Sequence, residues 1–136
     1  MNIVNIILIV FFGLQITKGQ SQTIKSVEKL EVKHQKCLDA GTDMLNCSKN
    51  FYFSTDSILI IVYDRLKEQL PKSQKSVLKN EQLKWLKTRD NYFKKQDIFQ
   101  KKDKGYGGTD LQMIVINDKA SFVMKRVKIL INRLKK

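Results

Sequence analysis

The single proline of the chain, Pro71, stands between two long stretches that have helical periodicity. In each stretch apolar and selected polar residues recur three or four positions apart, as they do along one face of a helix. These residues are Asp56, Leu59, Tyr63, Leu66 and Leu70 before the proline, and Gln82, Trp85 and Arg89 after it. Proline lacks an amide donor, so it can begin a helix but breaks one from inside. The pattern predicts a helical hairpin whose second arm begins at Pro71.

Three residues interrupt the otherwise apolar faces of this hairpin, namely Asp56, Gln82 and Arg89. A buried charge is costly unless it is paired. One hypothesis is therefore a cross-helix ion pair between Asp56 and Arg89, completed by Gln82, Asp90 or the Tyr63 hydroxyl. The alternative is that Arg89 extends to water while Asp56 lies at a solvated edge.

Helical patterns also flank the hairpin. Residues 20–36 are polar and charged and favour a short helix or a leader arm. Residues 101–110 hold three glycines within four positions and predict a loop, after which Thr109 or Asp110 can cap a last helix. We therefore predict an all-α fold, a small antiparallel bundle of about four helices with the hairpin at its centre.

The first residues, Met1–Gly19, have the pattern of a cleavable signal peptide. The apolar core runs from Ile6 to Phe12, and the small residues Thr17 and Gly19 precede a cut that would leave Gln20 as the mature start. An uncleaved anchor is the alternative, but a membrane span takes about twenty apolar residues and this run is shorter. The length favours cleavage.

The remaining residues, 20–136, suit one domain with one modest core. They contain no long glycine–serine stretch and no internal repeat. Removal of residues 1–19 takes away one lysine and no acidic residue, which lowers the net charge from +13 to +12. We predict a basic protein that is periplasmic or secreted and does not span the membrane after signal removal.

These motifs resemble the N-terminal domain family of the LprI-like lysozyme inhibitors. The resemblance runs from about Cys37 to Leu134 and rests on several elements in the right order. They are Cys37 and Cys47, Asp56-x-x-Leu59-x-x-x-Tyr63-x-x-Leu66, Gln82-x-x-Trp85-x-x-x-Arg89-Asp90, and Gly107-Gly108-Thr109. The resemblance implies a small, exported, disulfide-bearing helical protein, and it implies lysozyme inhibition for the minority of relatives to which that activity is attached.

The chain departs from the family pattern at three places. Relatives commonly carry one cysteine where this chain has Phe93 and another near Asn117 and Asp118. Both are absent together, as expected if those two positions formed one bridge and the remaining two cysteines formed the other. An asparagine that often follows the family leucine is here Ile60, which lacks the polar side chain that the resemblance implies at this position.

Two cysteines in an exported chain are most simply a disulfide, because that compartment is oxidising. The Cys37–Cys47 link would close a short loop worth roughly 2–3 kcal/mol in the chain-entropy model. The alternative is a catalytic thiol, but no residue that could act as its base lies at a recognisable sequence spacing from either cysteine. A metal site with the sole histidine, His34, would lack the ligands that zinc requires.

No pattern in the chain indicates catalysis. Paired carboxylates at glycosidase spacing, a Gly-x-Ser-x-Gly element and a phosphate-binding loop are all missing from the sequence. The segment from Lys104 to Gly108 is rich in glycine, but it lacks the Lys-Ser/Thr pair that would follow in a phosphate loop. We predict a non-catalytic protein that uses no cofactor and no metal.

The excess of lysine suggests binding to anionic envelope polymers or lipid headgroups as an alternative function. The lysines concerned are Lys72, Lys75, Lys79, Lys84, Lys87, Lys94, Lys95, Lys101 and Lys102. Solvation of an outer face explains the same charge without any partner. We expect no nucleic-acid partner, because an exported protein seldom meets one.

The resemblance makes a lysozyme or another muramidase the expected partner. An inhibitor needs a rigid scaffold that fills a cleft, and the glycine-rich loop is the candidate binding segment. In that loop Tyr106 can stack on a sugar-binding surface and Lys104 can meet catalytic carboxylates, while Gly107 and Gly108 give the backbone freedom. A net charge of +12 favours a neutral or acidic target over a basic lysozyme.

Overall fold

The computed structural model describes residues 23–102 and 108–134, which form four helices. Helix α1 covers residues 23–39, and it is followed by α2 (Met44–Gln69), α3 (Lys72–Lys102) and α4 (Thr109–Leu134). Within these residues there is no strand, so the predicted all-α bundle is confirmed. The proposed signal peptide, residues 1–19, lies outside the described residues.

The turn at Pro71 separates α2 from α3 as predicted. Leu70 is extended, with φ −86° and ψ 144°, because the residue before a proline is excluded from the helical region. The Pro71 carbonyl then accepts the amides of Gln74 and Lys75 at 2.9 Å and 3.0 Å. Helix α3 therefore begins one residue after the proline, and Pro71 supplies the first acceptor of its hydrogen-bond ladder.

The start of α2 is capped by Asp43. Its carboxylate accepts a hydrogen bond from the Asn46 amide at 3.4 Å and another from the Asn46 side chain at 2.7 Å. The carboxylate satisfies a helix donor that has no partner within the helix and interacts favourably with the helix dipole.

Contacts between side chains fix the directions of the outer helices. Arg65 near the end of α2 donates to Thr23 at the start of α1, and His34 late in α1 stacks on Phe51 early in α2. These contacts make α1 and α2 antiparallel. In the same way, Glu81 pairs with Arg133 and Asp97 pairs with Lys119, so α3 and α4 are antiparallel.

The core lies along α4. Glu31 pairs with Lys128, and Ile24 faces the same groove as Ile131, so α4 also runs opposite to α1. Helices α2 and α4 therefore run in the same direction, and they pack together more extensively than α3 and α4 do. Their fully buried apolar residues include Leu59, Val62, Leu66, Val123, Val127 and Leu130.

Helix α3 lies at the edge of this core. Leu78 is its only fully buried residue within the part of the chain that the structure describes. The two arms of the central hairpin thus meet mainly through α4, with a side-chain contact between Tyr52 of α2 and Phe93 of α3 at a ring-centroid distance of 6.0 Å. A long helix with one buried leucine depends on partly buried aromatic contacts for its position.

A disulfide joins the end of α1 to the start of α2. Cys37 and Cys47 are bonded, with a Cα–Cα distance of 5.8 Å, and the described residues contain no free cysteine. The predicted disulfide is confirmed, and it removes the thiol needed for the alternative nucleophile. No group of three metal-ligating side chains occurs within residues 23–102 and 108–134.

His34 occupies the junction of α1, α2 and α4 beside this disulfide. Its ring lies parallel to that of Phe51, with centroids 4.1 Å apart. His34 Nε2 and Asn117 Oδ1 are both buried and neither forms a hydrogen bond of good geometry. Burial lowers the pKa of His34 from its ordinary value of 6.5, although the nearby Asn117 side chain acts in the opposite direction.

We predict that this histidine makes stability fall in mild acid. The unfolded chain binds a proton at His34 near pH 6.5, whereas the folded chain resists protonation until a lower pH. Stability is therefore complete above the unfolded pKa and is lost as pH falls from there toward the folded pKa. Urea unfolding of the native protein and of His34→Phe, which keeps the ring stack, measures this effect. Identical pH dependence in the two proteins would show that His34 contributes nothing.

Candidate functional site

The residues that carry the family resemblance are buried to different extents. Leu59 and Leu66 are fully buried, with 4% and 2% of their surface exposed. Five others are half-buried: Asp56, Tyr63, Gln82, Trp85 and Arg89. Asp90 is exposed, with 65% of its side-chain surface accessible, so it lies outside the core. The apolar motif residues form the core, and the polar ones lie around its edge.

Arg126 of α4 is the partner of the motif glutamine. Its Nε donates to Gln82 Oε1 at 3.0 Å, and its guanidinium lies 5.9 Å from the ring centroid of Trp85. Burial lowers the pKa of Arg126; Glu81 nearby opposes that shift and Arg133 adds to it. One guanidinium nitrogen, Nη2, is buried without a hydrogen bond. Gln82 and Trp85 therefore act together to hold a half-buried cation between α3 and α4.

Of the two alternatives for Arg89, the ion pair with Asp56 does not form. Within the described chain it pairs with its neighbour Asp90, at 2.8 Å from Nη2 to Oδ1, and keeps 24% of its side-chain surface exposed. Its guanidinium lies 5.7 Å from the ring centroids of both Trp85 and Phe93, four residues away on either side. The cation is satisfied within its own helix by one carboxylate and two ring faces, so no partner from α2 is required.

Asp56 nevertheless lies in the same region as Arg89. The pKa of Tyr52 is raised, chiefly by burial and next by the negative charge of Asp56; Asp90 adds to the shift and Arg89 opposes it. Tyr52 contacts Phe93 on α3, so α2 reaches this region through an aromatic ring. The two halves of the motif thus meet around Tyr52, which sequence reasoning did not select.

Aromatic rings connect these charges in a continuous group. Phe122 of α4 stacks on Tyr92 at 4.6 Å and on Trp85 at 6.0 Å, and it meets Phe93 edge-on at 6.4 Å. We name this group the aromatic-arginine cluster. Its members are Trp85, Arg89, Tyr92, Phe93, Phe122 and Arg126.

The cluster also joins α3 to α4 at Phe93. The Phe93 ring lies 5.2 Å from Lys119 Nζ on α4. Lys119 also pairs with Asp97 of α3 at 2.5 Å. Aromatic and charged contacts therefore connect α3 to α4 beside Phe93.

The cluster has the chemistry of a packing or binding surface. It contains ring faces and guanidinium groups, but no nucleophile beside a base. Of the predicted binding loop, Lys104, Tyr106 and Gly107 lie outside the described residues. Gly108 has φ 131°, a value that L side chains rarely adopt, and its carbonyl accepts the Gln112 amide at 3.3 Å at the start of α4.

We predict strong energetic coupling between Gln82 and Arg126. In a double-mutant cycle with Gln82→Leu and Arg126→Met, the coupling in unfolding free energy should be about 1–2 kcal/mol, because either single change strands a half-buried polar group. The matched control cycle uses Asp56→Ala and Arg89→Ala, which should couple by less than about 0.5 kcal/mol. Denaturant unfolding measures both cycles, and the reverse order of coupling would contradict the geometry.

The comparison with known families agrees with the family resemblance that the motifs indicate. Residues 34–130 match the family described as lysozyme inhibitor LprI, a range that contains both cysteines, α2, α3 and most of α4. No curated protein and no solved structure matches the chain significantly. No helix within residues 23–102 and 108–134 is long and apolar enough to cross a membrane. Because the family match covers more than half of the sequence, the chain belongs to the lysozyme inhibitor LprI family.

Proposed function

We propose that the mature protein is an exported, non-catalytic inhibitor of a muramidase-type glycosidase. The observation that carries this proposal is the match of residues 34–130 to the lysozyme inhibitor family. Export is proposed from the leader pattern of Met1–Gly19, with the mature chain beginning at Gln20. Inhibition requires affinity for the enzyme and no reaction, so the lack of a catalytic pattern in the sequence is compatible with it.

The described helices supply the rigid support that an inhibitor needs. The disulfide ties α1 to α2, and the aromatic-arginine cluster ties α3 to α4. A binding segment held by such a support loses less conformational entropy when it binds, which improves affinity. The segment between α3 and α4 starts after Lys102 and ends at Thr109, so both of its ends are attached to long helices.

We propose that this segment enters the substrate cleft of the target. A muramidase cleft binds sugar rings and contains catalytic carboxylates. Tyr106 offers a ring for the sugar-binding surface, and Lys104 offers a cation for a carboxylate. The positive φ of Gly108 supports this assignment, because it lets the backbone turn sharply before α4 begins.

The net charge of the protein makes some muramidases better targets than others. The mature chain has a net charge of +12, so it repels a strongly basic lysozyme during approach. Repulsion between exposed charges weakens as salt rises. A neutral or acidic lysozyme, or a bacterial lytic enzyme, is therefore the better target.

We predict that the mature protein inhibits neutral or acidic muramidases more strongly than basic ones. Inhibition constants measured across a panel of such enzymes test this, and inhibition of a basic member should improve with added salt. Tyr106→Ala should weaken inhibition by about ten-fold or more, as loss of a central interface aromatic does. The control Lys125→Ala removes an exposed lysine from α4 and should change inhibition little.

Two outcomes would contradict the proposal at different levels. If no muramidase in the panel is inhibited at any salt concentration, the function is wrong for this chain. If inhibition occurs but Tyr106→Ala and Lys104→Ala match the control, the inhibitory function stands and the binding segment lies elsewhere.

A further inference from the structure

Helix α3 concentrates the positive charge of the protein. It contains nine lysines and one arginine against three acidic residues, a net charge of +7 within Lys72–Lys102. The whole mature chain has a net charge of +12, so one helix supplies more than half of it. By contrast, α2 contains three basic and three acidic residues and is neutral.

The acidic residues of α3 do not neutralise its lysines. Glu81 pairs with Arg133, Asp90 pairs with Arg89, and Asp97 pairs with Lys119. Within the described part of the chain, none of the nine α3 lysines forms an ion pair. Each carboxylate of the helix is thus engaged by an arginine or by a residue of α4, and all nine lysine charges remain uncompensated.

Five of these lysines form a column on the outer side of α3. They recur every seven or eight residues, which places them within about 80° of one another around the helix axis. The column is Lys72, Lys79, Lys87, Lys94 and Lys101. All five are exposed, and the opposite side of the helix packs its rings against α4. The column is about 44 Å long, with roughly 11 Å between neighbouring lysines along the axis.

The spacing suits a partner that provides many negative charges in a line. At physiological salt the Debye length is about 8 Å, so lysines that are separated by roughly 11 Å barely repel one another. A linear polyanion lying along the column would release a counterion at each lysine that it contacts, and the gain grows with the number of contacts. A small anion would meet only one lysine and gain little.

We propose that this lysine column binds a linear anionic polysaccharide. This surface lies outside the segment that we propose for muramidase inhibition, so the inference does not depend on that function. A single-stranded nucleic acid is a poorer fit, because the bases would need aromatic rings beside the column on which to stack. Trp85 and Tyr92 are stacked on Phe122 of α4, and the exposed Phe99 lies on the side of α3 away from the column.

A bilayer surface is also a poorer fit than a polymer. Helices that lie in a membrane interface bury a continuous apolar face. Helix α3 exposes four large apolar residues, but roughly 22 Å of helix separates the first two from the last two. They are Val77, Leu83, Ile98 and Phe99. Trp85 and Tyr92 lie between these two groups and are already stacked on Phe122 of α4, so no continuous apolar face remains for lipid.

The test compares two triple variants of the mature protein that have the same net charge. The column variant is Lys87→Gln, Lys94→Gln and Lys101→Gln, and the control is Lys29→Gln, Lys49→Gln and Lys125→Gln on the other three helices. All six lysines are exposed, so both variants should fold, which circular dichroism and thermal unfolding verify. The probe is fluorescent dextran sulfate of defined length, with neutral dextran as the uncharged reference.

We expect dextran sulfate to bind and neutral dextran not to bind. The column variant should lose at least about ten-fold in affinity at low salt, and its salt dependence should become shallower, while the control should change far less. Equal losses in the two variants would overturn the proposal, because they would mean that only total charge matters. Tighter binding to vesicles of anionic phospholipid, or to single-stranded DNA, at equal charge concentration would overturn it in favour of those partners.

Discussion

Burial of α4 is the interaction on which the rest of the structure depends. Of the sixteen buried apolar residues in the described chain, nine belong to this helix. Helix α2 packs along it in the same direction, α1 runs in the opposite direction, and α3 reaches the core mainly through it. A helix with apolar residues on several faces needs partners on each of them. The arrangement of the other three helices follows from that requirement.

Because α3 is held mainly by α4, its two sides differ in their surroundings. The inner side is fixed to α4 by the Gln82–Arg126 hydrogen bond and by the rings that stack on Phe122. These contacts also draw the acidic residues of α3 into pairs, which leaves the lysines of the outer side uncompensated. Helix α3 therefore leads into the proposed inhibitory segment at its C-terminal end. Along its outer side it presents the proposed polymer-binding column.

The sequence predicted those features that depend on local rules or on covalent chemistry. Helix periodicity, the break at Pro71 and the pairing of Cys37 with Cys47 are of this kind. The Asp56–Arg89 pair was wrong, because spacing alone does not show that ring faces and Asp90 already satisfy the arginine. Arg126 is not among the residues that the sequence patterns select. Its hydrogen bond to Gln82 joins residues 44 positions apart, and no local pattern reveals such a contact.

Native-state amide hydrogen exchange tests most directly whether α4 organises the fold. Amides in the middle of α2 and α4, such as those of Val62 and Val123, should exchange only through global unfolding. Amides of α3 beyond the cluster, from Lys94 to Lys102, should exchange through a smaller opening with a lower free energy, because α3 buries only Leu78 fully. If these α3 amides were as strongly protected as those of α4, α4 would not be the helix on which the fold depends.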